Sequence, residues 1–268
     1  MGCIFMSNNK ATGLLGRIPG AAKNELKRLR LLLRSVPPVT MSVFVLSVFS
    51  MNLLANKSID LPFDWLALDC GIIVSWLCFL SMDLLTASFG PGASTRLSVI
   101  AMLISLGMCG VFYLGGAIPG SWGESFVPEG GELINTALDN TFGGTWYVLF
   151  GSAAAFLISS AVNNLINHRI GSAFVKKPDG AAAYAARTYV STAVGQFVDN
   201  MVFSLLVSHN FFGWSLLQCV TCSVTGMVVE LLCELIFFGL GYRIFKSWRA
   251  QGVGREYLAA TGQAQLGR

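Results

Sequence analysis

Six apolar segments, each about long enough to cross a lipid bilayer, constrain this chain more than any other feature of its sequence. A membrane-crossing α-helix needs about 20 predominantly apolar residues. Backbone groups inside lipid must be hydrogen-bonded within the protein, and helices satisfy that requirement. The predicted fold is an all-α integral membrane protein, a bundle of six transmembrane helices at residues 39–56, 66–87, 97–118, 146–166, 188–208 and 214–242.

Composition and charge support this class and predict an orientation. Only 12% of the residues are charged, about half the share in typical soluble domains. All of the 18 Lys and Arg residues except Lys57 fall in the basic segment 1–38, in the tail 243–268, or in and beside the loops after the second and fourth spans. The positive-inside rule therefore predicts cytoplasmic termini and a multi-pass protein of the cell membrane. This asymmetry accounts for the net charge of +4, so no nucleic-acid partner is predicted.

Enzyme and metal motifs are missing from the sequence. It contains no G-x-x-x-x-G-K-[ST], no G-x-S-x-G and no H-E-x-x-H. Cys219 and Cys222 form a C-x-x-C, but neither a second pair nor a nearby histidine completes a metal site. We therefore predict that the protein is not an enzyme and uses no metal or cofactor.

The glycine-rich stretch "DNTFGGTW", Asp139 to Trp146, has two interpretations. It is either a loop that ends in a helix cap, with Thr145 as the N-cap of the fourth span, or an outer gate that bends over a ligand. Asn140 is the gating candidate in the second interpretation. The sequence leaves both open.

Polar residues in the fifth span form a single stripe. Thr192, Gln196, Asp199 and Phe203 recur at i, i+4, i+7 and i+11, which places them on one helical face. That face must point into the bundle, because a centred Asp facing lipid costs about 2.5–3.5 kcal/mol even on lenient scales. The stripe therefore predicts a polar site between the helices.

Four further acidic residues lie within the spans. Asp69 lies near the outer end of the second span, where it could simply be solvated. Glu230 and Glu234 share one face at i, i+4, so water must separate two charges or at least one group must be protonated. Asp83 lies toward the inner end of the second span, where it could couple protons, pair with Arg96, or simply be solvated.

Three motifs resemble the VUT family of queuosine-precursor and vitamin uptake transporters. They are "NLLANK" (Asn52 to Lys57), "FLSMDLLTASFG" (Phe79 to Gly90) and "RTYVSTAVGQFVD" (Arg187 to Asp199). The resemblance covers about residues 40–242 and implies a six-helix carrier for a 7-deazapurine such as preQ0 or preQ1. It implies roles for five positions: Asn52, Lys57, Asp83, Gln196 and Asp199. The chain departs from the family pattern at Ala87, Ala161, Asn164 and Glu230.

The chemistry of a deazapurine yields a model of the substrate site. A carboxylate accepts from paired N–H donors, while an amide both donates and accepts. Asp199 and Gln196, opposed by Asn163 or Asn164, are predicted to bind the edge of the base, together with Asn52 and Asp83. Among the aromatic residues of the spans, Phe197 and Trp146 are predicted to stack on its face. Coupling or gating is assigned to four residues: Lys57, Asp83, Asn140 and Glu230.

Three functional classes follow from these observations. The first is a secondary carrier for a small heterocyclic metabolite, with the lipid bilayer as its environment and possible homo-oligomers. The second is a substrate-capture subunit that works with a separate ATPase module, since the chain has no P-loop of its own. The third, a membrane enzyme or scaffold, is disfavoured by the missing motifs.

Overall fold

A computed structural model of the chain describes residues 20–59, 61–66, 68–123, 130–142, 146–173 and 180–262. Within these ranges the chain is mostly α-helical, as predicted. The helices are α1 (Gly20–Ser35), α2 (Pro38–Leu54), α3 (Ile72–Phe89), α4 (Pro91–Ala117), α5 (Gly131–Phe142), α6 (Trp146–Ala173), α7 (Ala181–Phe203), α8 (His209–Phe211), α9 (Leu216–Gln251) and α10 (Arg255–Thr261). A π-helical turn, Ser204–Ser208, links α7 to α8.

The all-α prediction missed one small element. Strands β1 (Ser58–Ile59) and β2 (Leu68–Asp69) pair antiparallel between α2 and α3, with Ser58 opposite Asp69. A strand of two residues is too short to produce a recognisable hydropathy pattern. The end of the bundle that carries these strands is called the hairpin end below.

Helix boundaries follow from proline, glycine and capping residues. Pro37 and Pro38 separate α1 from α2, because proline lacks an N–H and disfavours helix in the preceding residue. Gly90, at φ 85°, ends α3, and Pro91 begins α4. At the start of α9, the Ser215 side chain accepts from the Gln218 backbone N–H while the Gln218 side chain accepts from the Ser215 N–H, the reciprocal capping box.

Five helices in the described part of the chain are long and apolar enough to cross a membrane, and a bent pair raises the number to six. The five regions contain α3, α4, α6, α7 and α9. The sixth candidate is α2 together with Ala22–Ser35 of α1, which meet at 106°. The 17 residues of α2 are too few to meet the same length criterion alone. The chain is therefore a multi-pass membrane protein.

Several helices extend beyond the predicted apolar segments. Helix α9 continues from Tyr242 to Gln251, although charged residues lower the hydropathy after Arg243. The extension is amphipathic, and its buried residues Phe245 and Trp248 pack in the core. Phe89, at the end of α3, meets Trp248 edge to face with ring centroids 6.4 Å apart. Part of the predicted tail thus packs against the bundle.

This packing defines the second end of the bundle, called the terminal end below. Tyr257 of α10 meets the same Phe89 ring at 6.2 Å. Glu25 of α1 accepts hydrogen bonds from Arg28 and from Arg96 of α4. Since β2 precedes α3 and Phe89 ends it, the hairpin end and the terminal end lie at opposite ends of that helix.

The charge distribution predicts which end faces the cytoplasm. A cysteine introduced at Asp64, an exposed residue of the hairpin end, should react with a membrane-impermeant maleimide in intact cells. A cysteine introduced at Arg255, exposed at the terminal end, should react only after permeabilisation. Both variants are built on a background with the seven native cysteines replaced by serine. The reverse labelling pattern would contradict the predicted orientation.

Candidate functional site

A small cavity of about 30 Å³ lies between the helices near the hairpin end. A cavity of this size admits one or two water molecules, so a larger ligand can enter only if the surrounding helices move apart. Elements α2, β2, α3, α6 and α7 all contribute to its wall. Its polar lining consists of Asn52, Asp69, Ser75, Ser152, Gln196, Asp199 and Asn200.

The stripe predicted on α7 lies partly in this cavity. Gln196, Asp199 and Phe203 all line it, as expected for residues spaced at i, i+3 and i+7. Asp199 Oδ1 accepts a hydrogen bond from Ser159 Oγ at 2.6 Å. Gln196 is 1% exposed, and its Nε2 has no hydrogen-bond partner among the described residues. The cavity therefore presents a carboxylate acceptor and an unpaired amide donor on one helical face.

Asn52 reaches the cavity from α2. It is buried, and its Nδ2 donates to Ser105 Oγ on α4 at 3.5 Å, a long contact. Three predicted substrate residues, Asn52, Gln196 and Asp199, thus line one cavity although they lie far apart in the sequence.

Asp69 also lines the cavity, where the sequence suggested a solvated helix end. It lies in β2, before the membrane-spanning helix α3 begins, and is half-buried. Burial, and to a smaller extent the nearby Asp199, raises the pKa of its carboxyl group from 3.8 to about 7, although the hydrogen bond from the Gly71 N–H acts in the opposite direction. A side chain at Gly71 would force a shift, because its Cβ would lie 2.9 Å from the Met51 backbone oxygen and 2.7 Å from Asp69 Oδ1.

The raised pKa of Asp69 predicts a pH-dependent stability difference. The folded state binds the Asp69 proton more tightly than the unfolded state, so protonation of Asp69 stabilises the fold. This contribution to the free energy of unfolding is fully present below about pH 3.8 and is lost as the pH rises through about 7. Asp69→Asn keeps the acceptor for Gly71 but cannot ionise. The melting temperature of Asp69→Asn in detergent should therefore rise relative to wild type between about pH 4 and 7, with no further change above. Parallel melting curves for the two proteins across this range would contradict the assignment.

The predicted amide partners of Asp199 lie deeper in the bundle. Asn163 Nδ2 donates to Asp83 Oδ1 at 3.1 Å. Asn164 accepts from Thr86 at 2.7 Å and donates to Thr95 at 3.1 Å. Neither asparagine lines the cavity, so the predicted arrangement opposite Asp199 is not the one observed.

The register of two antiparallel helices explains this difference. Ser159 of α6 contacts Asp199 of α7, and Asn167 contacts Ser191. Between these pairs, Asn163 lies opposite Gly195, where an added Cβ would be 3.0 Å from Asn163 Cβ. Each step of four residues forward on α6 matches four residues back on α7. Ser159, not an asparagine, therefore lies level with Asp199.

Asp83 forms the centre of a second polar cluster. It is fully buried, and its Oδ1 accepts hydrogen bonds from Asn163, from Asn167 at 2.9 Å and from Ser191 at 3.3 Å. Thr192 Oγ1 lies 3.4 Å from the other oxygen, Oδ2. These contacts tie α3 to α6 and α7 and do not include the cavity, so Asp83 is not placed at the substrate edge.

Two acidic residues of α9 connect the cluster with the cavity. Glu230 accepts from Ser75, a cavity-lining residue, and Glu234 accepts from Thr192. Both glutamates are 1% exposed. The Oε2 atom of each has no hydrogen-bond partner within the described ranges.

The remaining predicted residues lie outside the cavity. Lys57 and Asn140 line the same surface depression at the hairpin end, which has a volume of about 500 Å³. Trp146 is 69% exposed and meets the Tyr147 ring edge to face. Phe197 is half-buried and does not line the cavity, where Phe203 is the aromatic residue. Thr145, the predicted cap, lies outside the described residues.

Three residues of these clusters were missed from the sequence. Asn167, Ser191 and Ser159 each donate to a buried carboxylate. Asn167 carried a usable signal, because it follows Asn163 by four residues and shares its helical face. The serines carried none, since a serine in a membrane helix more often joins neighbouring helices.

A family model described as "putative vitamin uptake transporter" matches residues 69–244. The match covers about two thirds of the chain and includes the helices that carry Asp83, Asn163, Gln196, Asp199 and Glu234. No curated protein and no solved structure matches the chain.

Proposed function

The chain belongs to this family of vitamin uptake transporters, and we propose that it carries a 7-deazapurine such as preQ0 or preQ1 across the cell membrane. The family membership supports transport rather than catalysis. The proposed substrate rests on one observation, which is that Asp199 and the Gln196 amide, which has no partner among the described residues, line the same cavity.

The hydrogen-bonding groups of the cavity complement a deazaguanine base. Such a base presents adjacent N–H donors and a carbonyl acceptor on one edge. Asp199 can accept from the donors, while Gln196 Nε2 can donate to the carbonyl oxygen. An unpaired donor in a buried site lowers the stability of the protein by about 1–3 kcal/mol. A ligand oxygen that accepts from Gln196 Nε2 would remove this cost.

The other cavity residues complete the proposed site. Phe203 is the aromatic residue proposed to stack on the base, in place of Phe197 and Trp146. Asn52 approaches from α2 and supplies a further amide. Residues Lys57 and Asn140 lie where they could gate entry from the hairpin end, because both line the surface depression there.

Uptake in cells tests this substrate class directly. The chain is expressed in cells that neither make nor import 7-deazapurines, and labelled preQ0, preQ1 and B-vitamins are offered separately. Labelled preQ0 or preQ1 should accumulate, and unlabelled B-vitamins should not compete. Accumulation of a B-vitamin without any deazapurine uptake would contradict the proposed substrate while leaving the transport role intact.

A further inference from the structure

Helix α1 runs across the terminal end of the bundle rather than along it. Helix α2 leads from α1 to β1 at the hairpin end, so its axis follows the direction in which the bundle crosses the membrane. Residues Ala22–Ser35 of α1 meet α2 at 106°, and Pro37 and Pro38 break the helix at the corner. A helix nearly perpendicular to a membrane-crossing helix lies close to the plane of the membrane surface.

One face of α1 attaches it to the bundle. Leu32 is fully buried in the core. Glu25 precedes Leu32 by seven residues and therefore lies on nearly the same face. It accepts a hydrogen bond from Arg96 Nε of α4 at 3.1 Å, and Arg28 of α1 also donates to it, at 3.2 Å. These contacts fix the rotation of α1 about its own axis and so the direction of its other side chains.

Four basic residues, called the basic stripe here, lie on the opposite face of α1. They recur at i, i+4, i+7 and i+11, a spacing that places them on one helical face: Lys23, Lys27, Arg30 and Arg34. All four are exposed, and none forms an ion pair with another described residue. Leu32 follows Lys23 by nine residues, which is about 180° around an α-helix. The basic stripe therefore points away from the bundle.

Three leucines, called the leucine stripe here, lie between these two faces. Leu26, Leu29 and Leu33 recur at i, i+3 and i+7. Leu26 is 42% exposed and Leu33 is 45% exposed. An apolar stripe beside a basic stripe is typical of a helix that lies in the membrane interface, with its apolar side at the boundary of the acyl chains. A soluble acidic partner would account for the basic stripe but not for the exposed leucines.

We propose that α1 is an interfacial helix whose basic stripe binds the phosphate groups of anionic phospholipids, while its leucine stripe inserts among their acyl chains. This inference does not depend on the proposed substrate. Lysine and arginine side chains can extend to the phosphate groups while their methylene stems lie over apolar surface. The cytoplasmic leaflet carries anionic lipid that attracts basic segments beside a membrane span, and the charge distribution predicts that the terminal end faces that leaflet.

The depth of two spin labels tests the position of α1. A nitroxide is attached at Leu33→Cys or at Asn24→Cys, on the cysteine-free background, and the full chain is reconstituted into bilayers that contain phosphatidylglycerol. Leu33 and Asn24 are nine residues apart and lie on opposite faces. The label at position 33 should be accessible to oxygen and shielded from a water-soluble nickel chelate, and the label at position 24 should show the reverse. Equal access of the nickel chelate to both labels would overturn the proposal.

Lipid retention tests the headgroup that the basic stripe binds. The purified full chain in a neutral detergent is mixed with equal amounts of phosphatidylglycerol and phosphatidylcholine, and bound lipids are counted by native mass spectrometry. The wild type should retain phosphatidylglycerol selectively. The double variant Lys27→Gln/Arg30→Gln should bind it roughly tenfold more weakly. The matched control Arg243→Gln/Lys246→Gln removes two exposed charges from α9 and should retain it like the wild type.

Three results of the retention experiment would overturn the proposal. Equal losses in the two double variants would mean that total charge, not the basic stripe, attracts the lipid. Equal retention of the two lipids by the wild type would mean that the anionic headgroup is not recognised. Displacement of phosphatidylglycerol by inorganic phosphate at the same concentration would assign the basic stripe to a free anion instead of a lipid surface.

Discussion

Asp199→Asn is expected to weaken preQ0 binding by roughly 10- to 150-fold while the protein remains folded. A hydrogen bond to a charged group contributes about 1.5–3 kcal/mol, and each 1.4 kcal/mol is a factor of ten in affinity. The isosteric amide keeps the contact to Ser159 but loses the charge and one acceptor. Removing a buried charge should leave the melting temperature unchanged or raised.

Gln196→Ala and the double variant make this test sharper. Gln196→Ala should also lose affinity, because its Nε2 is proposed to donate to the ligand. Since both residues contact one molecule, the effects in the double variant should be non-additive. Binding by titration and melting in detergent are measured in parallel for all three variants. A lowered melting temperature with wild-type affinity would mean that Asp199 only joins α6 to α7 through Ser159.

Asp83→Leu is expected to destabilise the protein strongly and to abolish transport. The substitution removes the carboxylate that Asn163, Asn167, Ser191 and Thr192 all contact. Removing one partner of a buried charged network typically costs about 3–5 kcal/mol. Asp83→Asn keeps one carbonyl acceptor, so it should destabilise the protein less than Asp83→Leu does.

Thermal melting and uptake of labelled preQ0 separate these effects. Asp64→Leu, a substitution at an exposed acid of the hairpin end, is the matched control and should alter neither. If Asp83→Leu melted like the wild type, the four contacts would contribute little and Asp83 could not organise the cluster. If Asp83→Asn retained full uptake and pH dependence, its role in coupling would be contradicted.

The stripe on α7 could be predicted from the sequence because helical periodicity is a local property. Gln196, Asp199 and Phe203 share a face in any α-helix, and the cost of a lipid-facing carboxylate turns that face inward. Their convergence with Asn52 was implied only by the family resemblance. The positions of these residues in one cavity come from the packing of α2 against the other helices.

Residue pairs between helices could not be predicted, because register depends on the packing of the whole bundle. The model of the substrate site placed Asn163 or Asn164 opposite Asp199, whereas antiparallel packing of α6 and α7 places Ser159 there. The contacts of Glu234 could not be predicted for the same reason. Thr192 contacts both Glu234 and Asp83, and the three residues belong to three different helices. The helical extension of α9 was missed because apolar content falls where Phe245 and Trp248 still pack in the core.

Counterflow in proteoliposomes containing only the purified chain tests the central claim most directly. Vesicles are preloaded with unlabelled preQ0 and diluted into labelled preQ0, an exchange that needs no ion gradient and no ATPase. We predict that label enters wild-type vesicles, that entry is at least tenfold lower with Asp199→Asn at subsaturating preQ0, and that empty vesicles take up none. Tight binding of preQ0 by the purified chain without any exchange would contradict a carrier and identify a capture subunit.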